Sequence, residues 1–154
     1  NGIQDVTNNG VEGTVLGVMN ASKKNQHTFG VLTGVNRWST HINWSNNNVY
    51  FDPGICCNNP RYFNNTSNLS KWAHYTFIRT TTNAIARSNG VQRFNGSHTT
   101  GKCTRTEDFT ICWANGNNAG YATTSFSELI MYKTDIAASQ YQQIEKNSNT
   151  FWNL

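Results

Sequence analysis

Charge is scarce in this 154-residue chain, at 13% Asp, Glu, Lys and Arg, which excludes the charge-rich composition of a disordered tail. Long apolar runs are missing as well: none approaches the ~20 residues that a membrane span needs, so membrane insertion is not expected. No basic stretch followed by an apolar one opens the chain in the manner of a secretion signal. The chain starts at Asn1 without an initiator Met, and a mature or excised portion of a longer polypeptide is expected. Basic clustering is also lacking. The net charge is +4 and the isoelectric point near 9.0, yet the cations are spread from Lys23 to Lys146 without a stripe or a nucleic-acid reading motif. A nucleic-acid partner is therefore not expected.

The four cysteines, Cys56, Cys57, Cys103 and Cys112, lack the paired short spacing of a zinc site. Disulfides are favoured over metal, and free thiols stay open as an alternative. Three pairings exist if all four are oxidised. Adjacent Cys56 and Cys57 rarely bond each other, whereas Cys103 and Cys112 flank a segment short enough to be a hairpin and could face each other across it.

What is present points to strands. Aromatic residues make up 12% of the chain, five of them Trp, beside many Asn, Ser, Thr and Gly. Aromatic and β-branched side chains suit a pleated, half-buried surface, and Asn and Gly suit the turns between strands. At this length one domain with one core is expected. Strands are predicted over Gly13–Met19, Thr28–Thr33, Arg37–Trp44, Val49–Asp52, Lys71–Thr80, Asn83–Arg87, Asp108–Trp113 and Phe126–Tyr132. In Arg37–Trp44 the alternation puts Trp38, Thr40, Ile42 and Trp44 on one face, a reading that makes Trp44 a core residue. Pro53-Gly54 reads as a break, residues 55–70 as a long polar loop, and Lys71–Thr80 as the most central strand. Asn89-Gly90 is the dipeptide of a type I′ hairpin turn, so a further strand should follow it. One helix is predicted, over Ala137–Lys146, with Ala137, Tyr141 and Ile144 on its apolar face and Asp135 at its positive end. The result is an all-β, two-sheet antiparallel sandwich with one short C-terminal helix.

Three stretches resemble the concanavalin A-like lectin/glucanase superfamily, specifically its laminin G-like jelly-roll domains. Lys71-Trp-Ala-His-Tyr-Thr-Phe-Ile-Arg79 is similar to the central-strand motif W-x-H-x-A-x-x-R, and Arg87-Ser-Asn-Gly-Val91 to the hairpin Y-V-N-G-V. Phe126-Ser-Glu-Leu-Ile-Met-Tyr-Lys-Thr-Asp-Ile136 followed by Ser139-Gln-Tyr-Gln-Gln-Ile144 resembles the closing E-L-I-I-Y-N-R-A-L-S-x-x-E-x-x-x-I. The resemblance covers roughly the second half of the chain. Two departures stand out: no opening strand is evident before Gly13, and Arg87 and Ser88 replace the aromatic and aliphatic residues usual ahead of the Asn-Gly turn.

Glucanases of this superfamily carry their catalytic acids in an E-x-D-x-E run, and retaining hydrolysis needs two carboxylates about 5 Å apart. No two acids of this chain stand at i, i+2, and adjacent Glu107 and Asp108 would point to opposite faces of a strand. His27, His41, His74 and His98 lie in different segments, and no nucleophile elbow accompanies them. An enzyme is not expected, and no catalytic residue is assigned. His74 and Glu128 belong to the resembling motifs and are read as structural, His74 as a hydrogen-bonding residue and Glu128 as an acceptor for backbone or loop donors.

The resemblance implies a binding module whose ligand sits in loops at a sandwich edge, with calcium as a candidate ion. Asp52 and Asp108 are the acids placed to serve it, Asp52 being read mainly as a turn residue; no metal site and no other cofactor is assigned. Sugars are gripped by aromatic faces and by amide hydrogen bonds. The candidate ligand residues are Trp113, Asn115, Asn117 and Tyr121 around the late Gly/Asn loop, and Trp44, Asn46 and Tyr50 at the earlier hairpin, with Tyr62 in the long loop. Sequons at Asn20, Asn43, Asn64, Asn65, Asn68 and Asn95 matter only if the source glycosylates its proteins. The expected partner is a glycan or a cell-surface or virion protein, met by carbohydrate recognition or adhesion at an extracellular or virion surface. The alternative is a structural decoration domain of a viral or phage assembly, oligomeric within it and without a small ligand.

Overall fold

Strand β1 (Gly13–Ala21) is bracketed by the two most informative pairings of the chain. On one side it runs antiparallel to β10 (Thr124–Tyr132), on the other to β6 (Trp72–Arg79). The computed structural model describes residues 6, 10–22, 24, 27–33, 36–56, 61–98, 109–113 and 121–154. With β7 (Asn83–Ser88) and β8 (Val91–Ser97), these strands make a sheet of order β10-β1-β6-β7-β8. The second sheet has the order β5-β4-β3-β2-β9, from β2 (Phe29–Thr33), β3 (Asn36–His41), β4 (Asn48–Ile55), β5 (Tyr62–Asn64) and β9 (Thr110–Ile111). Every pairing is antiparallel. A single α-helix among the described residues, α1 (Ala138–Trp152), follows β10. The chain is thus an all-β two-sheet sandwich with a C-terminal helix.

The period-2 alternation of β6 explains the three layers. Ala73, Tyr75 and Phe77 face the second sheet and join Phe29, Val31, Trp38 and Phe51 in the main core. Phe29 and Phe51 meet Phe77 at 5.7 and 5.4 Å between ring centroids, and Trp38 meets Phe51 edge-on at 4.9 Å. Such pairs add about 0.5–1.5 kcal/mol each beyond the area they bury. Ile78, on the opposite face of β6, packs with Leu16 against Tyr141 of α1. The helix therefore covers the outer face of the first sheet, and β6 lies at that sheet's centre as its alternation predicts.

Between helix and sheet lies a buried polar cluster. Arg87 donates from Nε to Glu145 Oε1 at 2.8 Å and from Nη2 to Oε2 at 3.0 Å, and Thr76 Oγ1 donates to the same carboxylate at 2.8 Å. This accounts for the unusual Arg87 ahead of the Asn-Gly turn: it is the partner of a helix carboxylate. The turn itself has φ of 48° at Asn89 and 78° at Gly90, the doubly positive geometry of type I′. Asn89 also ties the turn to β6, accepting from the His74 amide at 2.8 Å.

Several expectations are corrected. The opening strand before Gly13 that is not evident in the sequence would fall mostly outside the described residues; β1 pairs with β10. β4 does not break at Pro53-Gly54; it runs through to Ile55, because Pro53 lies past the short β5, where β3 is its only sheet neighbour among the described residues and no second ladder there needs an N–H. The 55–70 segment is no plain loop, since it holds β5 and a 3₁₀ turn, Thr66–Asn68. The helix continues to Trp152, and its buried stripe is Tyr141, Glu145 and Ser148, with Ala137 exposed at the N-cap. Gln140, not Asp135, supports the helix start, its Oε1 accepting from the Ala137 N–H at 3.0 Å. Trp44 is not core. β3 ends at His41 and the chain turns there, leaving Trp44 38% exposed. Cys112 is a free thiol, so Cys103 and Cys112 are not joined; Cys56 is disulfide-bonded, and its partner lies outside the described residues.

Candidate functional site

Register alone assembles a row of side chains on the outer face of the second sheet. Tyr62 of β5 is opposite Tyr50 of β4, which is opposite His41 of β3, and residues directly opposite share a face. The Tyr50 and Tyr62 rings lie 5.3 Å apart. Arg61 stacks its guanidinium over Tyr50 at 5.7 Å. Asn46, in the turn joining β3 to β4, donates from Nδ2 to the Tyr50 hydroxyl at 2.9 Å, and its Oδ1 accepts from the Asn48 amide at 3.1 Å. Trp44 meets the His41 ring edge-on at 4.9 Å. Three of the expected ligand residues, Trp44, Asn46 and Tyr50, thus converge with Tyr62 on one edge of the sandwich. Tyr62 is 49% exposed and offers an open aromatic face.

Two residues along β4 from Tyr50, and so on the same face, Asp52 is fully buried. Its carboxylate is ion-paired with Arg37 of β3 at 3.1 Å and with Arg61. Burial pushes the Asp52 carboxyl up to about 6 against the pull of Arg61 and Arg37, and burial lowers Arg37 from its usual value. With both oxygens held by guanidinium groups, Asp52 is a bracing anion rather than the turn residue expected of it. The pairing orients Arg61, whose guanidinium then stacks on Tyr50. Asp108, the other calcium candidate, lies outside the described residues. Behind the row sits His27, whose ring is 5.7 Å from that of His41; burial, reinforced by His41, lowers it to about 3, so it is neutral at pH 7.

The turn that carries Trp44 is anchored from below. Asn65 donates to Asn43 Oδ1 at 2.5 Å and to the Tyr75 hydroxyl at 2.9 Å, with Asn43 and Asn65 both fully buried. Burial pushes the Tyr75 hydroxyl up to about 12 and keeps it protonated. Two of the six sequons are therefore core polar residues in the folded chain, whereas Asn64 and Asn95 are exposed.

The other expected group lies at the opposite edge of the same sheet, next to β9. Trp113 and Tyr121 stack at 6.5 Å with a 21° interplanar angle, and Tyr121 is 69% exposed. Thr110 Oγ1 donates to the Trp113 carbonyl at 2.5 Å. Asn115 and Asn117 lie outside the described residues. The expected set is thus divided between two edges.

Arg37, His41 and Arg61 were not singled out from sequence. The alternation that puts Arg37 and His41 on one face of β3, and Tyr50 and Asp52 on one face of β4, is readable. The pairing that makes those faces one surface is not. The two residues read as structural hold different roles from those expected. His74 is buried with no hydrogen-bond partner for its ring among the described residues, and Glu128 accepts from a helix side chain, Ser148 Oγ, at 2.8 Å.

No family model matches the chain and no curated protein sequence does. Solved structures do. The NanB sialidase of Streptococcus pneumoniae superposes with a TM-score of 0.69 at 15% identity, over 86% of this chain and 23% of that one. Domain 4 of AbnA, a GH43 extracellular arabinanase of Geobacillus stearothermophilus, in complex with arabinotriose, gives 0.64 at 13% identity over 92% and 69%. A heptameric SAP-like pentraxin of Limulus polyphemus gives 0.67 at 11% identity over 87% and 69%. This chain spans about a quarter of the sialidase chain. At such identities the likeness establishes the fold alone, a two-sheet jelly-roll β-sandwich.

Proposed function

We propose that this chain is a non-catalytic carbohydrate-binding domain of the laminin G-like type, seating a glycan on the edge formed by β4, β5 and the β3–β4 turn. The observation that carries the reading is the Tyr62–Tyr50 aromatic row, braced by Arg61 and flanked by Trp44 and the Asn46 amide. An exposed aromatic face takes the C–H surface of a sugar ring, and an amide and a guanidinium serve its hydroxyls. The solved neighbours include a domain complexed with arabinotriose, which favours the same class of ligand. Trp113 and Tyr121 form a second aromatic platform at the far edge, where a longer glycan or a second chain would meet the domain.

The acids favour binding over hydrolysis. Each described carboxylate has its own partner: Glu12 takes Thr81, Asp52 takes Arg37 and Arg61, Glu128 takes Ser148, Asp135 takes Thr134, and Glu145 takes Arg87. None of these partners is a second carboxylate across an open groove, which glycoside hydrolysis needs. The disulfide at Cys56 favours an oxidising compartment, hence an extracellular or virion surface, with the domain belonging to a longer polypeptide.

A glycan array probed with and without calcium tests the proposal. Binding that Tyr62→Ala removes supports it, and indifference to calcium fits an Asp52 already held by arginines. A silent array beside self-association, or binding to a shell protein, replaces it with the decoration-domain role.

A further inference from the structure

On the face of the sandwich away from this row, the C-terminal part of α1 and strand β10 form an open cavity of about 510 Å³, lined by Ser127, Glu128, Asn147, Ser148, Phe151 and Trp152. We infer that this cavity is a second, independent binding site, and that its ligand is a small organic cation of the alkylammonium class. Four features of different origin point the same way.

Glu128 is the single ionisable group of the lining among the described residues. Its Oε2 is held by Ser148 Oγ at 2.8 Å, which orients the carboxylate and leaves Oε1 to a ligand. No cation is ion-paired with it among the described residues. Arg87, the cation buried beneath the same helix, is already held by Glu145 and by the Gly90 carbonyl at 2.6 Å. A partly buried carboxylate without a counter-charge is best satisfied by a cation.

The second feature is the end of the helix. Asn147, Ser148, Phe151 and Trp152 all come from its C-terminal part, where the backbone dipoles sum to partial negative charge, and no basic residue occupies the last turn to offset it. The third is aromatic. Phe151 and Trp152 stand edge to face, 5.0 Å apart at 80°, a corner of two π faces, and Phe151 is 79% exposed although it is a large apolar side chain. Ring faces attract cations, and quaternary ammonium groups are bound in such aromatic corners. The fourth concerns the kind of cation. One carboxylate and a few hydroxyl and amide oxygens fall short of the six to eight oxygens calcium takes, and no group of three metal-ligating side chains exists among the described residues. A cation that carries its own apolar shell suits the lining better than a bare ion.

Titration of the intact chain with choline, followed by the Trp indole resonances, tests the assignment; 3,3-dimethyl-1-butanol, the neutral isostere of choline, and a methyl glycoside serve as the opposing probes. Choline is expected to shift the Trp152 indole saturably, with the neutral isostere at least about tenfold weaker. Glu128→Gln should weaken choline about tenfold or more, and Phe151→Ala should weaken it too. The exposed Phe151 can be truncated without harm to the core, so its variant keeps the test valid should Glu128→Gln loosen the helix. Equal shifts from choline and the isostere, a preference for the glycoside at Trp152, or indifference to both substitutions would overturn the assignment. Because the Tyr50 and Tyr62 row is on the other sheet, failure here leaves glycan binding untouched, and a silent glycan array leaves this cavity untouched.

Discussion

Tyr62 and Asp52 illustrate two ways in which a residue serves a surface without belonging to the core. Tyr62 is half-exposed and touches Tyr50, so truncating it removes a ligand face and little buried area. Tyr62→Ala is expected to lower glycan affinity about tenfold while changing folding stability by about 0.5 kcal/mol or less; calorimetric titration beside a thermal melt checks both. Asp52 acts by orienting Arg61. His27 behaves differently again, because its folded-state value of about 3 lies below its ordinary 6.5. In that window the unfolded chain binds the extra proton, so His27's contribution is complete above pH 6.5 and is lost as pH falls toward 3. Between pH 7 and pH 4.5 it should amount to about 2–3 kcal/mol. His74, also lowered by burial, adds to the same trend. Urea unfolding at the two pH values should show the fall in the native chain and a smaller fall in His27→Phe.

At the scale of elements, the contact between α1 and the first sheet combines an apolar stripe with a buried ion pair. Leu16, Ile78 and Tyr141 supply the first, Arg87 and Glu145 the second. Removing one member of such a pair strands the other charge away from water, which costs about 3–5 kcal/mol, whereas replacing both with apolar residues of similar size is often neutral. Glu145→Gln is therefore expected to lower stability by about 3 kcal/mol, and Arg87→Met with Glu145→Leu to recover most of it. Chemical denaturation of the three proteins measures this directly. Helix α1 was legible as an amphipathic stretch, but its length and stripe were not. The buried positions include Glu145 and Ser148, which no hydrophobic pattern marks, since each is buried by virtue of a partner on the sheet.

At the scale of the whole molecule, the disulfide-bonded Cys56 near the end of β4 and the free Cys112 beyond β9 narrow the cysteine pairings open to the chain. Cys103 is the expected partner of Cys56, since a bond between neighbours 56 and 57 distorts the peptide between them. Mass mapping of non-reduced peptides should return a Cys56–Cys103 link and an alkylatable Cys112; a linked Cys112 would contradict the arrangement described above. The strand positions, the central place of β6 and the type I′ turn at Asn89-Gly90 follow from signals that act within a few residues: alternation, β propensity and the positive φ that Asn and Gly tolerate. That is why the sequence by itself determined the class of fold and most of the strand positions. The candidate site was decided only by tertiary structure. Which face meets which depends on register between strands far apart in the chain, as when Tyr62, Tyr50 and His41 fall in one row, and Trp44 left the core because β3 stops at His41. Burial of Asp52 between two arginines is likewise a property of three strands together, and no local pattern encodes a distance across a sheet.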